Sequence, residues 1–253
     1  MTLEVNLSTL SAFLLVLTRV AGFIVFLPVP GFRNTLDAVR IMLAVAITLA
    51  LYPVWPGLPN AVPALGQLMA WAFAEAGFGL TAGLAVAFLT ETFQVAAQIS
   101  GFQAGYGFAS TIDPNSEADS GVMQVLASLF TGVLFFTADL HHQLIRVLAA
   151  SFEKFPAGSW APTAASLDGI VRLGGSMLST GLRVALPVVA LLMLIDFALA
   201  LVGRVQQQLQ LLSLAFPVKM AAALALLAAL APVVPKLFGS AAEKTLAVLW
   251  KTL

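Results

Sequence analysis

The chain has no cysteine, and only 9% of its 253 residues are charged. The lack of cysteine excludes disulfides, thiolate nucleophiles, iron–sulfur clusters and cysteine-based zinc sites. Twelve basic residues balance twelve acidic ones, so the excess of positive charge that nucleic-acid binding requires is missing. Hydrophobic residues make up 60% of the chain and the mean hydropathy is +0.98, whereas a soluble domain is about half apolar and about 25% charged. The composition predicts an integral membrane protein that binds no nucleic acid.

Long apolar runs predict an all-α membrane protein with about six long, kinked helices arranged in hairpins. The third and fifth runs exceed the roughly 20 residues that cross a bilayer, so we expect them to be tilted, broken or kinked. The last residues predict an amphipathic helix, and the N-terminus lacks the basic residues of a cleavable signal peptide. The runs cover residues 10–30, 41–52, 68–100, 122–140, 171–202 and 211–234, with the amphipathic tail at 236–253.

The same pattern predicts four segments along the chain. Residues 1–100 form N-terminal hydrophobic hairpins, and residues 101–121 form a loop rich in glycine and aromatic residues. A central helix and loop occupy residues 122–167, and a helical hairpin with the amphipathic tail occupies residues 168–253.

Five charged residues lie inside the apolar runs, where each would cost about 3 kcal/mol if it faced lipid. We therefore expect them to face protein or water, either as ion or proton sites or as interhelical ion pairs. Two of them, Arg183 and Asp196, lie about 20 Å apart along one predicted helix and cannot pair with each other. The five residues are Arg19, Glu75, Glu91, Arg183 and Asp196.

No catalytic motif is present: the sequence contains no HExxH, Walker A or GxSxG pattern and no GxGxxG followed by an acid. The sequence therefore predicts a protein without enzymatic activity and without a cofactor. Asp139, His141 and His142 are the nearest approach to a metal or acid–base cluster. Because adjacent side chains on a helix point in different directions, we interpret the three as the polar end of a helix.

Glycines alternate with aromatic residues between the third and fourth runs. Glycine allows close approach of the backbone, and the rings can fill a constriction, so the segment predicts a hydrophobic plug with glycine hinges. The alternative is a re-entrant or surface loop with its aromatics at the membrane interface. The residues concerned are Gly101, Phe102, Gly105, Tyr106, Gly107 and Phe108.

Short segments spread over nearly the whole chain carry a family resemblance. The most specific are Asp113-Pro114 after the glycine/aromatic segment, and Arg204 followed by Phe216-Pro217; the others are Arg19, residues 28–40, 98–108 and 135–142, Ser151-Phe152, Pro156, Gly158 and Gly203. In these features the chain resembles the FliR family of export-gate proteins, found in bacterial flagella and in virulence type III secretion. It departs from the family at residues 207–210, where relatives have Pro-Gln-x-Asn, and at residues 139–141, where they have Asn-Gly-His.

The resemblance implies one subunit of a helical gate in the bacterial inner membrane, raised toward the periplasmic side within the flagellar basal body. It implies assembly of a single copy with FliP-like and FliQ-like subunits, an FlhB-like switch protein at the entrance, and passage of unfolded export substrates. The part before about residue 168 is similar to FliP and the part after it to a FliQ hairpin. The loop from residue 101 to about 110 would plug the channel, and we favour a flagellar over a virulence machine.

Residues around the break before the sixth run predict a contact with acidic groups of a partner near the channel mouth; they are Arg204, Phe216, Pro217 and Lys219. The alternative function is a small secondary transporter, in which Glu75, Glu91 and Asp196 serve as proton or ion sites.

Overall fold

The computed structural model describes residues 7–27, 37–57, 64–106, 121–205 and 211–252. Within them every regular element is a helix, which confirms the predicted all-α class. The α-helices are α1 (Leu7–Val25), α2 (Asp37–Ala50), α3 (Leu65–Ala104), α4 (Val122–Thr137), α5 (Leu140–Lys154), α6 (Ala164–Val205), α7 (Leu211–Leu230) and α8 (Val234–Thr252), with a short 3-10 helix at Tyr52–Val54 after α2.

Three of these helices, α1, α3 and α6, are long and apolar enough to cross a membrane. The count over the described residues rises to five when α4 with α5, and α7 with α8, are each taken as one span bent by 65° at a short break. The length and composition of these helices confirm the predicted membrane character. The residues of the predicted amphipathic tail form a helix, α8.

The third and fifth apolar runs form single helices of 40 and 42 residues. At about 1.5 Å per residue each is roughly 60 Å long, twice the thickness of a hydrocarbon core. The break expected in the third run is absent, because its glycines lie where helices pack closely. Pro187 lies inside α6 without ending it, since the loss of one backbone hydrogen bond is offset by the long helix on either side.

One predicted boundary is wrong. The loop expected from Gly101 starts later, because α3 continues through Ala104; Gly101 packs so closely that a Cβ there would lie 3.3 Å from the Cβ of Met123. The polar residues that follow the fourth apolar run belong to a helix, α5. Its polar residues cover one face, while Leu144, Val147 and Leu148 are buried on the other.

The described helices belong to two compact units that are each discontinuous in sequence. The first comprises Met1–Phe88, Phe135–Gly174 and Ala242–Leu253, and the second Leu89–Leu134 and Gly175–Ala241. Each unit draws on more than one of the four predicted segments, and that division stays a prediction.

In the first unit, α1 packs against α3 through glycines. A Cβ at Gly79 or Gly83 would collide with a backbone carbonyl oxygen of α1, and a Cβ at Gly22 would lie 2.9 Å from the carbonyl oxygen of Ala76. Small residues at four-residue spacing allow such close approach of two helices in a membrane. This contact sets the depth at which the side chains of the two helices meet.

In the second unit, α3, α4, α6 and α7 share an apolar core. Its buried residues are Ala97, Ala104, Met123, Val188, Leu192 and Ala223, and Tyr106 packs against it. The rings of Phe93 and Phe238 extend the packing, with centroids 5.7 Å apart. The core holds the end of α3 beside α6 and α7.

Candidate functional site

A buried ion pair lies at the centre of the first unit. Arg19 of α1 and Glu75 of α3 are both fully buried. The guanidinium contacts the carboxylate through two nitrogens: Nε donates to Oε2, and Nη2 donates to Oε1 at 3.0 Å. Arg19 and Glu75 thus form an ion pair between two helices, the arrangement described by one of the two readings of these charges.

The remaining hydrogen-bonding groups of the pair reach α5 and the turn that follows it. Arg19 donates to Ser151 Oγ at 2.9 Å and to the Phe155 carbonyl at 3.0 Å. Glu75 Oε1 accepts a hydrogen bond from the Gly158 backbone at 2.8 Å. A buried ion pair is tolerated when its other donors and acceptors are satisfied in this way. The pair therefore joins α1, α3, α5 and the turn into one network.

Aromatic rings enclose the guanidinium of Arg19. Its Cζ lies 4.6 Å from the ring centroid of Phe78 and 4.2 Å from that of Phe152. Both contacts are cation–π interactions, which are strongest where water is excluded. They further stabilise the positive charge in a site without solvent.

A second polar cluster connects α3, α6 and α7 in the second unit. Lys219 Nζ lies 2.9 Å from Oδ1 and 3.0 Å from Oδ2 of Asp196, and Gln103 Nε2 donates to Asp196 Oδ2 at 3.1 Å. Asp196 thus pairs with a residue other than Arg183, as predicted. Lys219, predicted to contact a partner's acid, instead contacts a carboxylate of its own chain.

The end of α3 is fixed by a glycine turn that packs on α7. Gly105 has a φ of +91°, and hydrogen bonds run from Gly105 N to Phe102 O at 3.1 Å and from Tyr106 N to Gly101 O at 3.0 Å. This pair of bonds closes the helix as a Schellman motif. A Cβ on Gly105 would lie 2.6 Å from Phe216 Cδ1, so the Phe216 ring lies against the bare glycine backbone.

Tyr106 also contacts α7. Its hydroxyl donates to the Met220 carbonyl at 3.2 Å, and burial raises the pKa of Tyr106 above its ordinary value. The hydroxyl therefore stays protonated and remains a donor at neutral pH. Sequence reasoning missed this contact and the contact of Gln103 with Asp196, because both depend on which helices lie beside the end of α3.

The predicted plug residues do not form one loop. Gly101 and Phe102 belong to α3, with the Phe102 side chain 67% exposed. Gly105 and Tyr106 form the turn against α7. Gly107 and Phe108 lie outside the described residues, as do residues 113–116 and 207–210 of the family resemblance.

The other predicted charges occupy different environments. Arg183 is exposed on α6, Glu91 is half-buried on α3, and Arg204 is exposed in the last turn of α6. Pro217 is exposed inside α7. The structure therefore brings Phe216 and Lys219 to the end of α3, while it leaves Arg183 and Arg204 on the surface of the described chain.

Asp139, His141 and His142 lie closer together than the sequence predicts. One potential metal-ligating atom from each lies within 4.8 Å of those of the other two. The two imidazole rings have centroids 4.1 Å apart, so the expectation that adjacent histidines diverge is wrong. The side chains of His141 and His142 contact each other in the first turn of α5.

The structure offers few polar groups that could bind the substrate or the coupling ion of a transporter. Glu75 and Asp196 already carry ion pairs, so two of the three proposed ion-binding carboxylates are neutralised. A cavity of about 370 Å³ in the second unit is lined by apolar side chains apart from Ser100 and Thr131. Both hydroxyls donate to backbone carbonyls of their own helices, which leaves little to bind a polar solute.

Residues 10–245 match the family model of the bacterial export proteins, family 1. The chain is 30% identical over 234 residues to flagellar biosynthetic protein FliR of Escherichia coli (strain K12), covering 92% of this chain and 89% of that protein. It is 29% identical to FliR of Pectobacterium carotovorum subsp. carotovorum (86% and 83% covered) and 28% identical to FliR of Bacillus subtilis (strain 168) (83% and 82% covered). Together with the apolar helices, these matches confirm the resemblance drawn from the sequence, and the chain belongs to the bacterial export proteins, family 1.

Proposed function

We propose that this protein is a non-enzymatic membrane subunit of the flagellar protein export apparatus, and that it forms part of the channel through which unfolded substrates pass. The observation that carries this proposal is the similarity to FliR over 92% of the chain. FliR is named for flagellar biosynthesis, and the matching family is one of export proteins. The apolar helices of the described chain support a position within the membrane.

The partners we propose are FliP-like and FliQ-like subunits, with an FlhB-like protein at the entrance and one copy of this chain in the assembly. Support comes from α6. Its most apolar stretch of 18 residues has a mean hydropathy of 2.6, yet only 17% of that stretch is buried within the chain. Lipid or another subunit must cover this face. Arg183 is exposed on the same helix, and a guanidinium facing lipid would cost about 3 kcal/mol. A partner carboxylate beside Arg183 removes that cost, which favours a subunit.

The exposed guanidinium of Arg204 at the end of α6 is a second candidate contact for an acidic group of a partner, near the channel mouth. We further propose that the complex lies in the inner membrane, raised toward the periplasmic side within the basal body.

The glycine/aromatic segment is proposed to close the channel, with the rings of Phe102, Tyr106 and Phe108 forming the seal. The packing of Gly105 on Phe216 and the hydrogen bond from Tyr106 to α7 support a fixed attachment at the end of α3. Gly101 and Gly105 therefore serve as close-packing residues, and we propose Gly107 as the hinge about which the segment moves.

Native mass spectrometry of the tagged chain, co-expressed with the FliP-like and FliQ-like proteins of its own organism, tests the subunit proposal. We expect one copy in a defined multi-subunit complex. A chain that emerges alone, monodisperse and stable, with both partners expressed would overturn it, and solute-binding assays of the transporter alternative would follow.

Charge reversal Arg183→Glu should reduce assembly, whereas Arg172→Glu, at an exposed pair within α6, serves as the matched control.

The plug proposal needs a separate measurement on the assembled complex. Deletion of residues 107–110 spares the attachment at Gly105 and Tyr106 and should raise ion conductance in planar bilayers. Tyr106→Phe, which keeps the ring, is the control and should leave conductance low. Unchanged conductance of a correctly assembled deletion variant rejects the plug while leaving the subunit proposal intact.

A further inference from the structure

The break between α4 and α5 carries a cluster of side chains that the export function does not use. Asp139, His141 and His142 lie there, and the two histidines are the only ones in the chain. One potential ligand atom from each residue lies within 4.8 Å of the others. We propose that these three side chains bind a divalent transition-metal ion such as Zn²⁺.

The distance between two of the ligands already suits a metal. Oδ1 of Asp139 lies 3.3 Å from Nδ1 of His142. In a tetrahedral zinc site with bonds of about 2.0–2.2 Å, neighbouring ligand atoms are about 3.4 Å apart. The side chains of His142 and Asp139 are 64% and 72% exposed, so both can rotate toward a shared ion without disturbing packed residues.

The third ligand is held in place from two sides. The ring of His141 lies between that of His142 and that of Phe136, whose centroid is 5.3 Å away. Nδ1 of His141 is buried without a hydrogen-bond partner in the described part of the chain. A buried polar nitrogen without a partner is unfavourable, and coordination of Nδ1 would supply the partner that it lacks.

The carboxylate of Asp139 can bind an ion because it makes no capping hydrogen bond to the backbone of α5. It occupies the N-cap position of α5, yet its side chain makes no capping hydrogen bond. Its backbone is left-handed, with a φ of 52°, and Oδ1 of its carboxylate lies 3.3 Å from Nδ1 of His142. An N-cap aspartate usually accepts a hydrogen bond from the helix backbone. Here the carboxylate contacts an imidazole instead.

The ligand set indicates which ion would bind. Two imidazoles and one carboxylate suit Zn²⁺, Ni²⁺, Cu²⁺ and Co²⁺ better than Mg²⁺ or Ca²⁺, which take oxygen ligands. Three protein ligands leave a fourth tetrahedral position for water. The ion would join the N-cap residue of α5 to two side chains in the first turn of that helix.

Titration of the full-length chain with Co²⁺, followed by visible absorption, tests the proposal. Because the chain contains no cysteine and no other histidine, a protein carrying a histidine-free tag offers no competing imidazole or thiolate site. We expect one Co²⁺ per chain, with the absorption of a low-coordinate site, and its displacement by Zn²⁺. Absence of binding above the buffer background would overturn the proposal.

Two variants identify the ligands. His142→Gln and Asp139→Asn should each weaken Co²⁺ binding by at least about tenfold, since the loss of even a supporting partner of a metal site costs about 10–100-fold. Asn tolerates the left-handed backbone of position 139, and the His142 side chain is largely exposed, so both variants should keep the wild-type helix content. Asp168→Asn, at an exposed acid outside the cluster, should bind like the wild type. An affinity unchanged in His142→Gln would show that the ion binds elsewhere and refute the site.

Discussion

Removal of the Glu75 charge is predicted to be among the most damaging conservative substitutions in the chain. Glu75→Gln keeps the size and shape of the side chain but takes the counter-charge from Arg19, whose guanidinium is fully buried. The hydrogen bond from Gly158 can still reach an amide oxygen, so the substitution isolates the effect of the charge. Loss of one partner of a buried ion pair costs about 3–5 kcal/mol of unfolding free energy.

This magnitude gives a large shift in melting temperature. For a chain of this size, 1 kcal/mol corresponds to about 2–4 °C, so Glu75→Gln should lower the melting temperature by about 6–20 °C. Asp168→Asn provides the control, because the pair of Asp168 with Arg172 has a similar nitrogen–oxygen distance of 2.7 Å but side chains that are 58% and 80% exposed. An exposed pair contributes less than about 1 kcal/mol.

Thermal unfolding of the full chain in detergent, monitored by tryptophan fluorescence, measures both variants. Trp160 is a suitable reporter because its ring lies 5.9 Å from that of Phe78, which contacts Arg19. Circular dichroism at 222 nm gives an independent transition for the same samples. Agreement of the two probes would establish a single cooperative transition.

A double-mutant cycle separates pairing from simple loss of packing. Arg19→Met and Glu75→Leu together remove both charges, so the combined loss should fall at least about 2 kcal/mol short of the sum of the single losses. The double variant still loses the hydrogen bonds to Ser151, Phe155 and Gly158, so we expect it to remain below the wild type. Additive losses, or a Glu75→Gln shift as small as that of Asp168→Asn, would refute the structural reasoning.

Three further predictions use the same melting assay. Gly79→Ala should destabilise strongly, because a Cβ there meets the backbone of α1, while Gly66→Ala, in open space near the start of the same helix, should be neutral or gain up to about 1 kcal/mol. Gly105→Ala should cost at least about 1–2 kcal/mol for its left-handed backbone, whereas Gly239→Ala, also with no neighbour within 4 Å, should show no loss. Asp196→Asn should cost about 1 kcal/mol, less than breaking the buried pair, because its side chain is 43% exposed; a larger loss would contradict a ranking based on burial.

Part of the buried network could be anticipated from sequence. An arginine and a glutamate inside apolar runs cost free energy when they face lipid, and this cost marked Arg19 and Glu75 either as members of ion pairs or as ion or proton sites. The sequence did not identify them as each other's partner, nor the contribution of Ser151 and Gly158. Their meeting depends on the depth at which α1 and α3 pack, which the glycines of the interface set.

The predicted start of the loop at Gly101 was wrong for a related reason. Gly101 and Gly105 look alike in sequence, yet one is a close-packing residue inside the helix and the other is the left-handed residue that stops it. The distinction comes from Met123 and Phe216, which approach from other helices. A local pattern of glycine and aromatic residues carries no information about these neighbours.

The sequence by itself determined the membrane class and the helical fold, because composition and periodicity act along the chain and survive any change in packing. The family followed from the resemblance of short segments spread over the chain, which does not depend on packing either. Only the tertiary structure decided which charge meets which: Arg19 with Glu75 and Lys219 with Asp196. These pairings depend on the rotation and relative depth of helices and on the backbone at their breaks. Those quantities are set by the shape of the packed surfaces, and for Arg19 and Glu75 the glycines one helical turn away, Gly22 and Gly79, control them.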